Sequence, residues 1–167
     1  MWIFLATDAV GFGALLIAYA WLRVRAASWP DPRDRLALAP AAIMTFLLLG
    51  SSLTMALAAG AHREGARRGW LLATLLLGLA FLAGGAIEYA HLMTGARAMG
   101  LGTDVYASTF YALTGFHGAH VLAGVAALGW LLARRAGRAA LVVMGLYWHF
   151  VDLAWMPIFT FLYLLPS

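Results

Sequence analysis

Apolar positions in this chain come in five long runs, separated by short breaks that carry the charges and the turn formers. The runs are Trp2–Val24, Pro40–Ala61, Trp70–Thr94, Tyr106–Ala133 and Ala139–Leu164. Each supplies the ~20 residues that a helix needs to cross ~30 Å of hydrocarbon. Backbone N–H and C=O groups find no water inside lipid, so a helix, which bonds them to one another, is the expected spanning form. The pattern predicts an all-α integral membrane protein: one membrane domain over 1–167, folded as a single bundle of five transmembrane helices. The breaks are Arg25–Ala39, which contains Trp29-Pro30-Asp31-Pro32, then His62–Gly69, Gly95–Val105 and Arg134–Arg138. None is long enough to form a domain, and there is no internal repeat. Pro40 fits a helix start. Pro157, inside the fifth run, is expected to kink that helix or free a carbonyl.

Composition sharpens the class. Hydrophobic residues make up 64% of the 167 and charged residues 11%, against roughly 45–50% and about 25% in soluble domains. The excess has to face something other than water, which excludes an ordinary soluble enzyme, a disordered regulator and a nucleic-acid binder. The net charge of +4 comes from arginine alone, since there is no lysine, and basic loops at a lipid surface account for it. Cysteine is absent. That removes disulfides, thiolate zinc, iron–sulfur clusters, covalent c-type haem and a thiolate-bridged dinuclear copper centre.

An odd number of spans puts the two ends on opposite sides. The amino-terminal side holds Arg63, Arg67, Arg68, Arg134, Arg135 and Arg138; the other holds Arg23, Arg25, Arg33, Arg35 and Arg97. Six against five places the amino terminus in the cytoplasm and the carboxyl terminus outside. The first run has no basic stretch before it and no small-residue cleavage site, so it reads as a retained helix rather than a signal peptide.

Ionisable side chains inside a membrane are costly and mark a specific contact or a function. Asp8 lies about two turns into the first run, counted at 3.6 residues per turn. Glu88 and His91 lie toward the far end of the third, His117 and His120 near the middle of the fourth, and His149 and Asp152 near the middle of the fifth. Residues three apart share a helix face, so three helices can point acids and imidazoles at one another. Two readings are open. One is a metal or haem site: Glu88-Tyr89-Ala90-His91 has the Glu-x-x-His form of di-iron bundles, and the histidines can ligate haem or copper. A di-iron site, however, wants a second such pair, and here the second is His-x-x-His. The other reading is a buried hydrogen-bond and ion-pair cluster that fixes helix packing. Small-residue stripes at Gly115/Ala119/Ala123 and Gly50/Thr54/Ala58, with Gly84, predict close helix approach. Trp2, Trp21, Trp70, Tyr106, Trp130 and Tyr163, near the run ends, suit an interfacial aromatic belt. Tyr147, Trp148 and Trp155 lie deeper, where packing explains them.

These residues resemble subunit III of the haem–copper respiratory oxidases. Tyr147-Trp148-His149-Phe150-Val151-Asp152-Leu153-Ala154-Trp155 is similar to that family's YWHFVD-x-x-W motif. Ser108-Thr109-Phe110-Tyr111-Ala112-Leu113-Thr114-Gly115-Phe116-His117-Gly118-Ala119-His120-Val121 is similar to its STFF-x-x-TGFHG-x-HV motif. Glu88-Tyr89 matches the acid–Tyr step upstream, and Met1–Asp8 looks like the start of its carboxylate-bearing helix. The resemblance runs along essentially the whole chain and matches the short five-helix bacterial form, which implies a bacterial inner membrane.

The resemblance implies a non-catalytic subunit of a proton-pumping terminal oxidase in aerobic electron transport. Such a subunit has no cofactor of its own, packs on subunit I, has subunit II as a further partner, and binds phospholipid. Haem and copper belong to the partner subunits, and the complex can join a larger respiratory supercomplex. By match, Glu88, His117, His120, His149 and Asp152 become the buried polar set, and Asp8 a lipid-facing or proton-related carboxylate where the family usually has Glu. The alternatives are an accessory subunit of a quinol oxidase or nitric oxide reductase, and a membrane haem or di-iron redox protein using the His/Glu cluster. An independent transporter has no repeat symmetry or broken-helix pair in its favour.

Overall fold

A computed structural model describes residues 1–94, 99–100, 102–135 and 137–165. Its elements are α1 (Trp2–Arg25), α2 (Pro32–Arg35), α3 (Leu38–Gly60), α4 (Glu64–Thr94), α5 (Val105–Arg134) and α6 (Arg138–Phe159), with α6 running on into a π-helical turn, Thr160–Leu164. There is no strand among the described residues. All helices except α2 are long and apolar enough to span a bilayer, as the hydrophobic pattern predicts. Arg97, counted above among the loop charges, lies outside the described residues.

Two breaks are more ordered than the pattern predicts. The short helix α2 forms inside the first because Asp31 caps it, accepting from the Arg33 N–H at 2.9 Å, and Pro32 sits at its first position. In the second, α4 already starts at Glu64. Its 31 residues rise about 46 Å at ~1.5 Å each, more than the ~30 Å of hydrocarbon. The polar first turns of α4, with Arg67 and Arg68, therefore project from the membrane.

The bundle closes around α6, which packs on α3 and α5, while α4 lies along α3 and against α5. Helix α1 leans on α5 and α6. Its buried residues, Leu5, Phe12 and Tyr19, fall at seven-residue spacing, one narrow stripe of an otherwise outward-facing helix. The centre of the bundle is Trp148. Its ring fills a slot that only glycine leaves open: a Cβ on Gly78 of α4 would stand 2.8 Å from the indole, and one on Gly124 of α5, 2.7 Å. The Trp148 Nε1 donates to Ser51 Oγ at 2.9 Å, and that hydroxyl donates to Leu48 O at 2.6 Å. Two turns along, Trp155 Nε1 donates to Thr45 Oγ1 at 2.9 Å, and Thr45 in turn donates to Ala41 O. Every polar atom in this double rung has a partner, as burial in apolar surroundings requires.

Some packing differs from expectation. Ala119 and Ala123 of the expected α5 stripe are exposed. The closest approach on α5 is at Gly124, because that residue and not Ala123 faces α6. Gly84 does serve close contact, with the Met44 sulfur filling the space a Cβ would take. Trp2, Trp21, Trp70 and Trp130 are exposed near helix ends, but Tyr106 and Tyr163 are 1% and 3% exposed and belong to the interior. Helix α6 is not broken at Pro157; it leaves α-geometry one turn later. There Tyr19 and Tyr106 hydroxyls donate to Phe161 O (2.8 Å) and Leu162 O (2.9 Å), partnering carbonyls that a helix end leaves open.

Candidate functional site

The sequence places seven ionisable side chains inside the spans. The structure distributes them among different helix pairs. Asp8 of α1 meets His120 of α5, with Oδ2 3.5 Å from Nε2 and both side chains about one-sixth exposed. The His120 Nδ1–H donates to Phe116 O at 2.8 Å, and the Tyr147 hydroxyl donates to the His120 carbonyl at 2.8 Å. With Nδ1 committed as a donor, Nε2 is the nitrogen turned toward the carboxylate. The contact has the distance of an ion pair but is not a hydrogen bond, since Asp8 Oδ2 is buried without a hydrogen-bond partner among the described residues.

His117 is fully buried. Its ring sits between Trp155 (centroids 5.0 Å apart) and Phe81 (5.6 Å), and Nε2–H donates to Val151 O of α6 at 3.2 Å. Glu88 of α4 accepts from the Tyr163 hydroxyl through Oε2 at 2.9 Å. Its Oε1 is buried with no hydrogen-bond partner among the described residues. Glu88 also lines an apolar cavity of about 650 Å³ between α3 and α4, whose walls include Met44, Leu47 and Gly84, with Arg35 and His91 in the polar part of the lining. His91, expected as the companion of Glu88, is exposed. His149 is exposed as well, and its Nδ1 is 2.6 Å from Ser52 Oγ of α3. Asp152, one turn on, is buried, facing Ser52 without a hydrogen bond to either oxygen among the described residues.

The single convergent cluster expected from the spacing is therefore not formed. Among the described residues no three His, Asp or Glu side chains stand close enough to hold one metal ion. The physical reason is bulk: Trp148, Trp155 and Phe81 occupy the bundle centre where the groups were expected to meet. His149, expected to be buried, looks outward. The polar links between helices that the structure shows have neutral hydroxyls and carbonyls as their main partners. Sequence reasoning missed those partners: Tyr163 for Glu88, Ser52 for His149, Ser51 and Thr45 for the tryptophans, and Thr114 for the Tyr89 hydroxyl at 2.6 Å. A tyrosine near a run end carries the same local signal whether it faces the interface or the interior.

Outside the spans, Arg35 of α2 forms an ion pair with Asp104. Asp104 also caps α5, with its Oδ1 accepting from the Ala107 N–H at 2.7 Å. Burial alone would raise the Asp104 carboxyl, but the Ala107 N–H and the Arg35 guanidinium outweigh it and hold it below the usual carboxylate range. An Asp directly before an apolar run is a readable cap signal.

Comparison with known proteins gives a consistent result. The family model described as Cytochrome c oxidase subunit III matches residues 29–167. The probable cytochrome c oxidase subunit 3 of Mycobacterium tuberculosis is 36% identical over 172 residues, covering 96% of this chain and 84% of the relative. The cytochrome c oxidase subunit 3 of Alkalihalophilus pseudofirmus is 38% identical over 177 residues, covering 98% and 84%. That of Thermostichus vulcanus is 34% identical over 174 residues, again covering 98% and 84%.

Proposed function

This chain belongs to the cytochrome c oxidase subunit III family, and we propose that within the oxidase it packs on subunit I, binds phospholipid and supports proton uptake without redox chemistry of its own. As a membrane-spanning member of the family it works in a complex with other oxidase subunits. The haem and copper of that complex are assigned to the partner subunits, subunit II is a further neighbour, and the electron donor is cytochrome c, as in the relatives' names. The membrane is the bacterial inner membrane, as the bacterial relatives suggest, with the amino terminus cytoplasmic on the arginine distribution.

The observation that carries the non-redox reading is how the imidazoles are occupied. His117 is held on a backbone carbonyl, His149 on a serine hydroxyl and His120 between a carbonyl and Asp8. A di-iron site needs several of these side chains aimed at one point, and the tryptophan rungs keep them apart. The proton reading rests on Asp8 and His120, a carboxylate and an imidazole that face one another at 3.5 Å at the join between α1 and the rest of the bundle. The lipid reading rests on the α3–α4 cavity and on a second apolar hollow of about 610 Å³ beside Phe4, Trp130 and Tyr147. Both accept acyl chains.

Purification in mild detergent through a tag on this chain, with mass spectrometry and a visible spectrum, tests the proposal. A haem–copper catalytic subunit is expected to accompany the chain in near-equal amount, with all haem absorbance following that subunit. A stoichiometric Soret band on the isolated chain, lost in His117→Ala, would refute the non-redox role. Asp8 is expected to react with a hydrophobic carbodiimide more slowly in the complex than alone; equal rates argue against partner-linked burial.

A further inference from the structure

The outward face shared by α3 and α6 carries Val142, His149, Leu153 and Met156 from α6 beside Leu49 and Leu53 from α3, all exposed. All of these but His149 are apolar. His149 lies eleven residues from Arg138 and fifteen from Leu164, so it sits near the middle of the span. Its Nδ1 is engaged by Ser52, while Nε2 has no hydrogen-bond partner among the described residues. An imidazole nitrogen open to hydrocarbon at that depth is unfavourable, and ionisable groups within spans characteristically face protein or a polar cavity. Ser52 adds to the argument, because its bond to Nδ1 holds the ring so that Nε2 is presented outward.

We infer that this α3/α6 face, centred on His149, is where a transmembrane helix of another oxidase subunit docks, placing a hydrogen-bonding group opposite Nε2. The partner helix is apolar on its contact face, to match Leu49, Leu53, Leu153 and Met156, with one polar side chain or open carbonyl at mid-bilayer. Lipid is the rival occupant, and the exposed imidazole argues against it, since acyl chains offer Nε2 nothing. The inference rests on the oxidase-subunit reading above and adds which face makes the contact.

Photo-crosslinking in intact membranes tests it. A photoreactive benzoylphenylalanine replaces Leu153 on this face, Leu76 on α4 or Ile17 on α1, all exposed, and adducts are identified by mass spectrometry. Position 153 is expected to join a membrane-spanning peptide of a second oxidase subunit. Lipid adducts at 153, with the same oxidase subunit reached from position 76 or 17, overturn the assignment of the face but leave the oxidase reading standing. No oxidase adduct from any of the three overturns both. A second arm follows retention of the chain in the purified complex as detergent is raised. His149→Phe is expected to release it about fivefold more readily, the value of one intramembrane hydrogen bond, and His149→Gln to restore retention. Equal retention of the wild-type and His149→Phe chains overturns the hydrogen bond to a partner.

Discussion

Replacing Gly124 by alanine puts one methyl group into the most crowded point of the bundle. Its carbon would lie 2.7 Å from Trp148 Cζ3, 2.9 Å from Cε3 and 3.1 Å from Tyr147 Cε1, where carbon atoms prefer about 3.5–4.0 Å. The indole has to yield by roughly 1 Å on that comparison, and it has little freedom to do so. Gly78 closes the slot from α4, and the Nε1 bond to Ser51 ties the ring to α3. Overpacking of this kind costs about 1–3 kcal/mol, and the better helix propensity of alanine offsets about 1 kcal/mol. Gly118 of the same helix has nothing within 4 Å of the place a methyl group would take, so Gly118→Ala has the propensity gain without the clash. Gly124→Ala is therefore expected to be less stable than Gly118→Ala by about 1–3 kcal/mol. Reversible unfolding in mixed micelles, titrated with a denaturing detergent and followed by circular dichroism, measures the gap. Combining Gly124→Ala with Trp148→Phe removes the clashing indole atoms and should bring back much of the loss as a non-additive term. Equal stability of the two alanine variants, or strict additivity with Trp148→Phe, would refute the slot.

Other outcomes follow from the hydroxyl and charge contacts. Tyr106→Phe and Tyr19→Phe each leave a helix-end carbonyl without its donor, at about 1–2 kcal/mol; hydrogen exchange should accelerate at Leu165 N–H, which closes the π-turn onto Thr160 O, and unchanged exchange would argue against a capping role. Asp104→Ala removes a helix cap worth about 1 kcal/mol, plus an ion pair that, with both side chains about one-third exposed, adds less than about 1 kcal/mol. Because the folded-state carboxyl titrates below the ordinary value of 3.8, the wild-type advantage over Asp104→Ala should be full above that pH and shrink as pH falls through the lower folded value; an advantage that persists in acid would contradict it. A double-mutant cycle on Asp8→Ala and His120→Ala should give a coupling of about 0.5–2 kcal/mol at the α1–α5 join, and strict additivity would show the pair does not interact.

The spans were legible because their signal is length: a run of apolar residues long enough to cross a bilayer has few other uses. The interior was much less so. Gly78 and Gly124 are two of 18 glycines in a chain rich in small residues, and nothing local separates them from Gly118 or Gly129, which face open space. Histidine shows the same limit. His117 and His149 both sit in apolar runs with an ionisable neighbour three residues on, yet one is fully buried and the other exposed. Same-face spacing tells which residues of one helix travel together; which way that face turns depends on the neighbouring helices. The direction was settled by bulk, because Trp148 and Trp155 took the centre of the bundle and pushed the ionisable groups into separate helix joins.

That distribution also ranks the joins. Helices α3 and α6 are tied by two tryptophan–hydroxyl rungs and the His149–Ser52 bond. Helix α1 has the Leu5, Phe12 and Tyr19 stripe, the Tyr19 bond to the end of α6, and the Asp8–His120 pair. Its other faces present Ile3, Val10, Ile17 and Val24 outward, again at seven-residue spacing. A helix so thinly attached gains much of its placement from whatever lies against that second stripe. The Asp8–His120 pair at its join then senses both the bundle and its surroundings: a small shift of α1 changes the 3.5 Å separation of Asp8 and His120 before it disturbs any tryptophan rung. This is the physical basis for expecting the Asp8–His120 pair, rather than the buried imidazole of His117, to respond when the chain joins its complex.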